Sequence, residues 1–221
     1  MASHVAYASE EVFRATKRII QYLKCTKTLG MHFKAANKDD HVRAWVDASY
    51  MSAKDRHGYS RFGYCIKVAD NIIEWKTAFL PRTASSTTAA EYHALALCAI
   101  EAINVGNIYK EMREAMASED MESSEIDIKL GIDRKPEPHV QIYEDNKPAI
   151  AAAHSNKGST LQTRQMAARF WQLREQVMAG TISIDAIPTA LQIADFFTKK
   201  HAPKRFCELR KFFVRERFDT S

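Results

Sequence analysis

A chain of 221 residues with 46% hydrophobic and 27% charged residues is the size of one domain plus an appendage, with enough apolar side chains for a core, which excludes a wholly disordered protein. Its four cysteines, Cys25, Cys65, Cys98 and Cys207, lie far apart without C-x-x-C spacing, which excludes a zinc knuckle or a disulfide framework. The net charge is +5, no run reaches the ~20 apolar residues of a membrane span and the N-terminus lacks a signal-peptide core, so an intracellular protein, cytoplasmic or nuclear, without a membrane partner is expected.

In chain order, Ser9 to Lys24 predicts a basic amphipathic helix. Its Arg14, Lys17 and Arg18 resemble an organelle-targeting segment, a reading weakened by Glu10 and Glu11 but leaving an organelle open. His41 to Asp47 alternates Val42, Ala44 and Val46 with His41, Arg43 and Trp45, the pattern of a half-buried strand that ends at Asp47. Strands near Ser60–Val68 and Ile72–Lys76 complete a meander, with Asp70-Asn71 as the second turn. A helix then starts in the cluster Ser85, Ser86, Thr87 and Thr88 and runs to about Arg113, with Leu95, Cys98, Ala102, Val105, Tyr109 and Met112 as its apolar stripe.

Glu114 to Asp127 holds six acidic residues and no basic one, so 114–139 reads as an inserted, solvated loop from which Pro136 and Pro138 return the chain to the sheet. Val140–Glu144 predicts a fourth strand, closed by Asp145-Asn146 and followed by a short helix with Pro148 near its start. A longer helix over about Thr163–Ala179, stopped by Gly180, a fifth strand over Ile182–Ile187 and a helix at Asp195 follow. Residues 199–221 read as a basic C-terminal helix, with eight Lys or Arg between Lys199 and Arg217 against Glu208 and Glu216. Phe206, Phe212, Phe213 and Phe218 interleave at the spacing expected for packing that helix onto the domain. A meander followed by helical crossovers predicts an α/β fold, mixed α+β, with a five-stranded mixed sheet and helices on both faces.

Four carboxylates stand out. Asp47 ends a strand, Asp145 occupies a strand-to-helix corner, and Glu91 and Asp195 are acidic residues in apolar helical surroundings. A buried carboxylate must be paired, metal-bound or neutralised, and a site for two close divalent cations draws hard oxygen ligands from distant parts of a chain. Capping or helix-dipole roles account for Glu91 or Asp195 taken singly; the set of four points to a metal centre.

The blocks WVDASY, HGYSRFGYCI, TTAAEYHALA, IYEDNKPAIA, LREQVMAG and ADFFTK follow one another in an order that resembles the RNase H domain of copia-type LTR retrotransposon Pol polyproteins. ATKRIIQYLKCTKTLGMHF resembles the end of the reverse transcriptase region just upstream. The resemblance implies a division into 1–38, a reverse transcriptase remnant, and 39–221, an RNase H-like domain. It implies a ribonuclease H hydrolysing the RNA strand of RNA–DNA hybrids with two Mg²⁺, Mn²⁺ being a substitute. Asp47 would bridge both ions, Glu91 and Asp145 would complete one and Asp195 would close the other. Partners would be the hybrid and a reverse transcriptase or a larger nucleoprotein assembly. Ser85, Ser86, Thr87, Asn146, Lys199, Lys200, Lys204 and Arg205 are the candidate nucleic-acid contacts, hydroxyl capping being an equal account of the Ser/Thr cluster.

The chain also departs from the family. Thr163 to Trp171 stands where relatives carry T-K-H-I-D-x-R-Y-H, so both histidines are missing and Gln165 occupies the place of one, with His154 and His201 as the nearest replacements. Two alternatives follow: a non-catalytic RNase H-like module acting as a scaffold or RNA-binding subunit, and, less compatible with the ADFFTK block, a DNA nuclease or transposase of the same superfold.

Overall fold

The computed structural model describes residues 9–34, 41–51, 58–81, 83–119, 140–155 and 167–216. The chain begins with helix α1 (Glu10–Cys25), whose Ser9 hydroxyl accepts the Val12 N–H at 3.3 Å while Glu10 and Glu11 complement the positive end of the helix dipole. No residue of α1 is buried. A short strand β1 (Leu29–Gly30) follows, then the meander β2 (Val42–Ser49), β3 (Arg61–Val68) and β4 (Asn71–Phe79). The β3–β4 turn is centred on Ala69 and Asp70, with φ of 48° and 63°, the consecutive left-handed pair that a tight two-residue hairpin turn requires. It lies one residue earlier than expected, because Asn71 already belongs to β4 and its amide bonds the backbone of Lys34 on both sides, at 2.7 and 2.9 Å.

Helix α2 (Thr87–Glu119) crosses the sheet next. It runs past the expected end at Arg113, so the acidic segment starts as helix; residues 120–139, with Pro136 and Pro138, lie outside the described residues. Leu95, Cys98 and Ala102 are buried, Val105 and Tyr109 pack at the margin, and Met112 is 59% exposed where the helix outruns the sheet. Strand β5 (Val140–Glu144), α3 (Lys147–His154), α4 (Ala167–Met178) and β6 (Ile182–Ala186) complete the crossovers. Gly180, at φ 75°, terminates α4 in the left-handed conformation glycine adopts without penalty. The five strands lie in the order β4-β3-β2-β5-β6, antiparallel through the meander and parallel from β2 to β6. This is the mixed sheet the sequence predicts.

Alternation along β2 divides the two faces. Val42, Ala44, Val46 and Ala48 are buried in one core with Ile142, Ile182 and the Leu95 side of α2. Each fully buried Val, Leu or Ile among them contributes roughly 1.5–3 kcal/mol. The opposite face carries Asp47 and its register partner Gly63, and over it lies the one-turn helix α5 (Asp195–Thr198), reached through a 3₁₀ turn at Thr189–Leu191. Helices therefore cover both faces.

Beyond α5 the expected basic helix over 199–221 is corrected. Among the described residues of this segment only α6 (Pro203–Arg210) is helical; the chain then turns and forms β7 (Arg215–Glu216), antiparallel to β1. The reason is aromatic packing: Phe213 stacks on Phe196 at 5.0 Å and meets Phe197 edge-on at 5.1 Å, which turns the chain back. Phe206 also packs on Phe196, Phe212 is exposed, and residues 217–221, with Arg217 and Phe218, lie outside the described residues. Residues 9–34 thus rest on the C-terminal segment, through β1–β7, the Thr28–Glu216 hydrogen bond of 2.9 Å and the Tyr22–Phe206 edge contact of 5.8 Å. No described helix is long and apolar enough to cross a membrane.

Candidate metal centre

Three separated elements bring three carboxylates together. Asp47 lies fully buried near the end of β2, Glu91 projects from the first turns of α2, and Asp145 follows the last residue of β5. One oxygen from each lies within 4.8 Å of the others. Glu91 is aimed by the fold: its Oε2 accepts the Ala48 N–H at 2.7 Å, fixing the start of α2 against the end of β2.

Asp195 stands outside that trio and joins it through a lysine. The Lys199 ammonium lies 3.0 Å from Asp47 Oδ1 and 2.5 Å from Asp195 Oδ1, while the Thr198 hydroxyl donates to Asp47 Oδ2. Both oxygens of Asp47 are therefore engaged within the protein. The short helix carrying these groups is held from several sides. Gln192, fully buried, donates to the Val46 carbonyl at 2.9 Å and accepts the Ala194 N–H at 3.2 Å; the Thr77 hydroxyl donates to the Phe197 carbonyl at 2.8 Å. Gly63 has no side chain to obstruct Phe197, which occupies the space a Cβ there would need.

The site is rich in negative charge. Burial, then the Glu144 and Asp47 carboxylates, push Glu91 up to about 10, against the opposing Ala48 N–H. Burial likewise pushes Glu144 up to about 8, opposed by the Asn146 N–H and reinforced by Asp145 and Asp47. Asp47 is also raised by burial, with Lys199 and Thr198 pulling the other way. Glu144 is a fifth carboxylate that sequence reasoning missed. It is fully buried, its Oε1 accepts the Asn146 N–H at 3.0 Å and its Oε2 has no hydrogen-bond partner. Its inward placement was available from the alternation of Val140, Ile142 and Glu144 in β5. Convergent hard oxygen donors, with burial opposing their ionisation, fit a divalent cation of the Mg²⁺ or Mn²⁺ kind.

The expected nucleic-acid contacts divide. Ser85, Ser86 and Thr87 are exposed at the start of α2, but the Ser86 hydroxyl accepts the Ala89 N–H at 3.1 Å as a helix cap. Asn146 caps α3, its Oδ1 accepting the Ala149 N–H at 3.0 Å. Lys199 departs from its expected role, since its ammonium turns inward to two carboxylates, which attract it more strongly than solvent. Lys200 and Lys204 are exposed. Arg205 is tied to the Ala190 carbonyl at 2.7 Å and lies 3.6 Å from Glu208. Of the substitute histidines, His201 donates its Nε2–H to the Asp195 carbonyl at 2.8 Å, whereas His154 sits on α3 with Nδ1 3.0 Å from the Ile150 carbonyl. Gln165 lies outside the described residues.

No family model matches the chain. It is 28% identical over 191 residues to the retrovirus-related Pol polyprotein from transposon RE1 of Arabidopsis thaliana, covering 86% of this chain and 12% of that one. It is 24% identical over 209 residues to the Ty1-DR5 Gag-Pol polyprotein of Saccharomyces cerevisiae, covering 93% of this chain and 11% of the relative. The chain thus spans only about an eighth or less of the length of these curated relatives. Among solved structures, the N-terminal RNase H domain of Rv2228c from Mycobacterium tuberculosis aligns at a TM-score of 0.43 and 14% identity, covering 77% of this chain and 96% of that one. LC11-RNase H1 in complex with an RNA/DNA hybrid aligns at 0.42 and 14%, covering 71% and 92%. Over most of its length the chain is thus similar to a part of retrotransposon Pol polyproteins, and it folds as a five-stranded mixed sheet with helices on both faces.

Proposed function

We propose that this chain is a ribonuclease H, cleaving the RNA strand of RNA–DNA hybrids endonucleolytically with the help of divalent cations. The observation that carries the reading is the convergence of Asp47, Glu91 and Asp145, from β2, α2 and the β5–α3 corner, to within 4.8 Å. Hard oxygen ligands drawn from three elements suit Mg²⁺. Relationship to Pol polyproteins supports the same reading.

Asp47, Glu91 and Asp145 would hold one cation, and Asp47 with Asp195 the other. When bound, such a pair supplies charge neutralisation at the scissile phosphate and makes a water nucleophilic at neutral pH. The protein's own part is positioning. Ala48 N–H keeps Glu91 turned toward Asp47, and Gln192 and Thr77 fix α5 against the strands so that Asp195 meets the same edge. Exposed Ser85 and Thr87 at the start of α2 offer hydroxyls to the backbone of the bound strand, the Asn146 amide is the candidate contact to a ribose 2′-hydroxyl, and Lys200 and Lys204 face solvent to meet phosphates. Asp47 and Glu91 are buried and Asp145 is the partly exposed member of the trio.

The scaffold reading is favoured by one observation, the absence of the family histidines from Thr163 to Trp171. A single assay separates the two. A hybrid labelled on its RNA strand is incubated with the protein and Mg²⁺, with chelator and with duplex DNA as controls. Chelator-sensitive cuts confined to the RNA strand support the nuclease; an intact strand at enzyme excess supports the scaffold.

A further inference from the structure

Lys199 sits where a cation would be wanted. Its ammonium contacts Asp47 Oδ1 and Asp195 Oδ1 together, and Asp47 Oδ2 is taken by Thr198, so the carboxylate pair assigned to the second divalent ion already holds a positive charge. We propose that Lys199 is an internal cation at the second metal position, so that the two sites are unequal: the Asp47, Glu91 and Asp145 site fills first, and the Asp47–Asp195 site fills only by evicting Lys199. This rests on reading the acidic cluster as a metal centre.

Three features make Lys199 displaceable. Its side chain is 38% exposed, while those of Asp47 and Asp195 are 0% and 9% exposed, so the ammonium is on the solvent side of the pair. The residue follows the last turn of α5, with extended backbone at φ −115° and ψ 155°, and its stem can rotate outward without unwinding the helix. Finally, the frame around the pair holds when the ammonium leaves: Asp47 keeps Thr198, and the helix that carries Asp195 stays pinned through Gln192 and Thr77. In the outward position the freed charge stands beside Lys200, next to the phosphates of a bound strand. Entry of the second dication and recruitment of a phosphate then become one exchange, in which a dication replaces a monocation between two carboxylates and the lysine gains a new anionic partner.

The test needs no substrate. Free Mn²⁺ is measured by electron paramagnetic resonance while the full chain is titrated with Mn²⁺ at neutral pH. The wild type should bind one ion tightly and a second at least about tenfold more weakly, the gap expected when a charge must be displaced. Lys199→Met, which keeps the stem and removes the charge, should tighten the second site by about tenfold or more and leave the first within roughly threefold. Asp195→Asn should abolish the second site and spare the first. Two equal sites in the wild type, or a second site unmoved by Lys199→Met, would overturn the proposal and leave the metal centre standing. Should Lys199→Met fail to fold without metal, the wild-type isotherm and Asp195→Asn decide on their own. Absence of any Mn²⁺ that Asp145→Asn removes would instead discard the metal centre itself.

Discussion

Gly63 is the register partner of Asp47 across β2 and β3, and the side chain it lacks leaves the space that Phe197 fills. The depth of α5, and with it the place of Asp195 and Lys199, is therefore set by a residue with no side chain. Gly63→Ala should force Phe197 and α5 outward, costing on the order of 1–3 kcal/mol by overpacking. The Asp47–Lys199–Asp195 contacts would open with it. Chemical denaturation measures the cost; a variant with wild-type stability and wild-type Mn²⁺ binding would show that α5 finds an equivalent seat.

The charge at the centre gives metal-free stability an unusual pH dependence. Glu91 is raised from 4.5 to about 10 and Glu144 from 4.5 to about 8. Between the unfolded and folded values the native state keeps protons that the unfolded chain has released, so unfolding free energy falls as pH rises. Stability of the chelated protein should therefore be highest near the low end of that window and decline up to about 10, where the Glu91 contribution is spent. Glu91→Gln should raise the metal-free Tm at pH 8 by about 5 °C and flatten the decline, whereas Mg²⁺ should stabilise the wild type by binding the native state. A scanning fluorimetry series with and without chelator checks both; a metal-free Tm that climbs with pH contradicts the assignment.

The basic C-terminal residues are not interchangeable. Lys200, Lys204 and Lys211 are exposed, whereas Arg205 holds the Ala190 carbonyl and Arg210 donates to the Tyr22 hydroxyl at 3.3 Å. Replacing the three lysines by glutamine should lower the salt slope of hybrid binding by up to about one unit for each phosphate left without a cation, with stability nearly unchanged. Arg205→Gln should instead cost about 0.5–1.5 kcal/mol of stability, because it removes a donor from a backbone carbonyl at the surface. Fluorescence anisotropy across a salt series, paired with denaturation, tells the two classes apart.

How far the site is legible in the sequence follows from the range of its interactions. Asp47 lies two residues before the end of β2 and Asp145 just past the end of β5, strands whose alternation is visible locally, and Glu91 stands near the start of a helix whose stripe is equally local, so these three need no tertiary information. Glu144 is readable from the β5 alternation yet is masked by the more conspicuous Asp145 beside it. Lys199 reads as solvent-facing because most lysines are; its partner Asp47 lies 152 positions away, and no local pattern announces such a pairing. The same holds for Gln192, 146 positions from Val46, and for β7, a strand only because β1 is there to pair with it. The helix boundary at Arg113 fails for a different cause: charge composition suggests a loop where Glu114 to Glu119 continue a helix already nucleated, and extension costs little once the first turns are formed.

Catalysis by the acidic cluster is put to its sharpest test by Asp145→Asn. Asparagine keeps the shape at the β5–α3 corner and removes one negative ligand of the 4.8 Å trio. Cleavage of a labelled hybrid in Mg²⁺ and affinity for the same hybrid are measured side by side, the latter with chelator present. Cleavage should fall by at least about two orders of magnitude, the scale of losing a group that stabilises the reacting centre, while affinity stays within about threefold. Unaltered cleavage, or cleavage and affinity reduced in equal measure, would contradict the account.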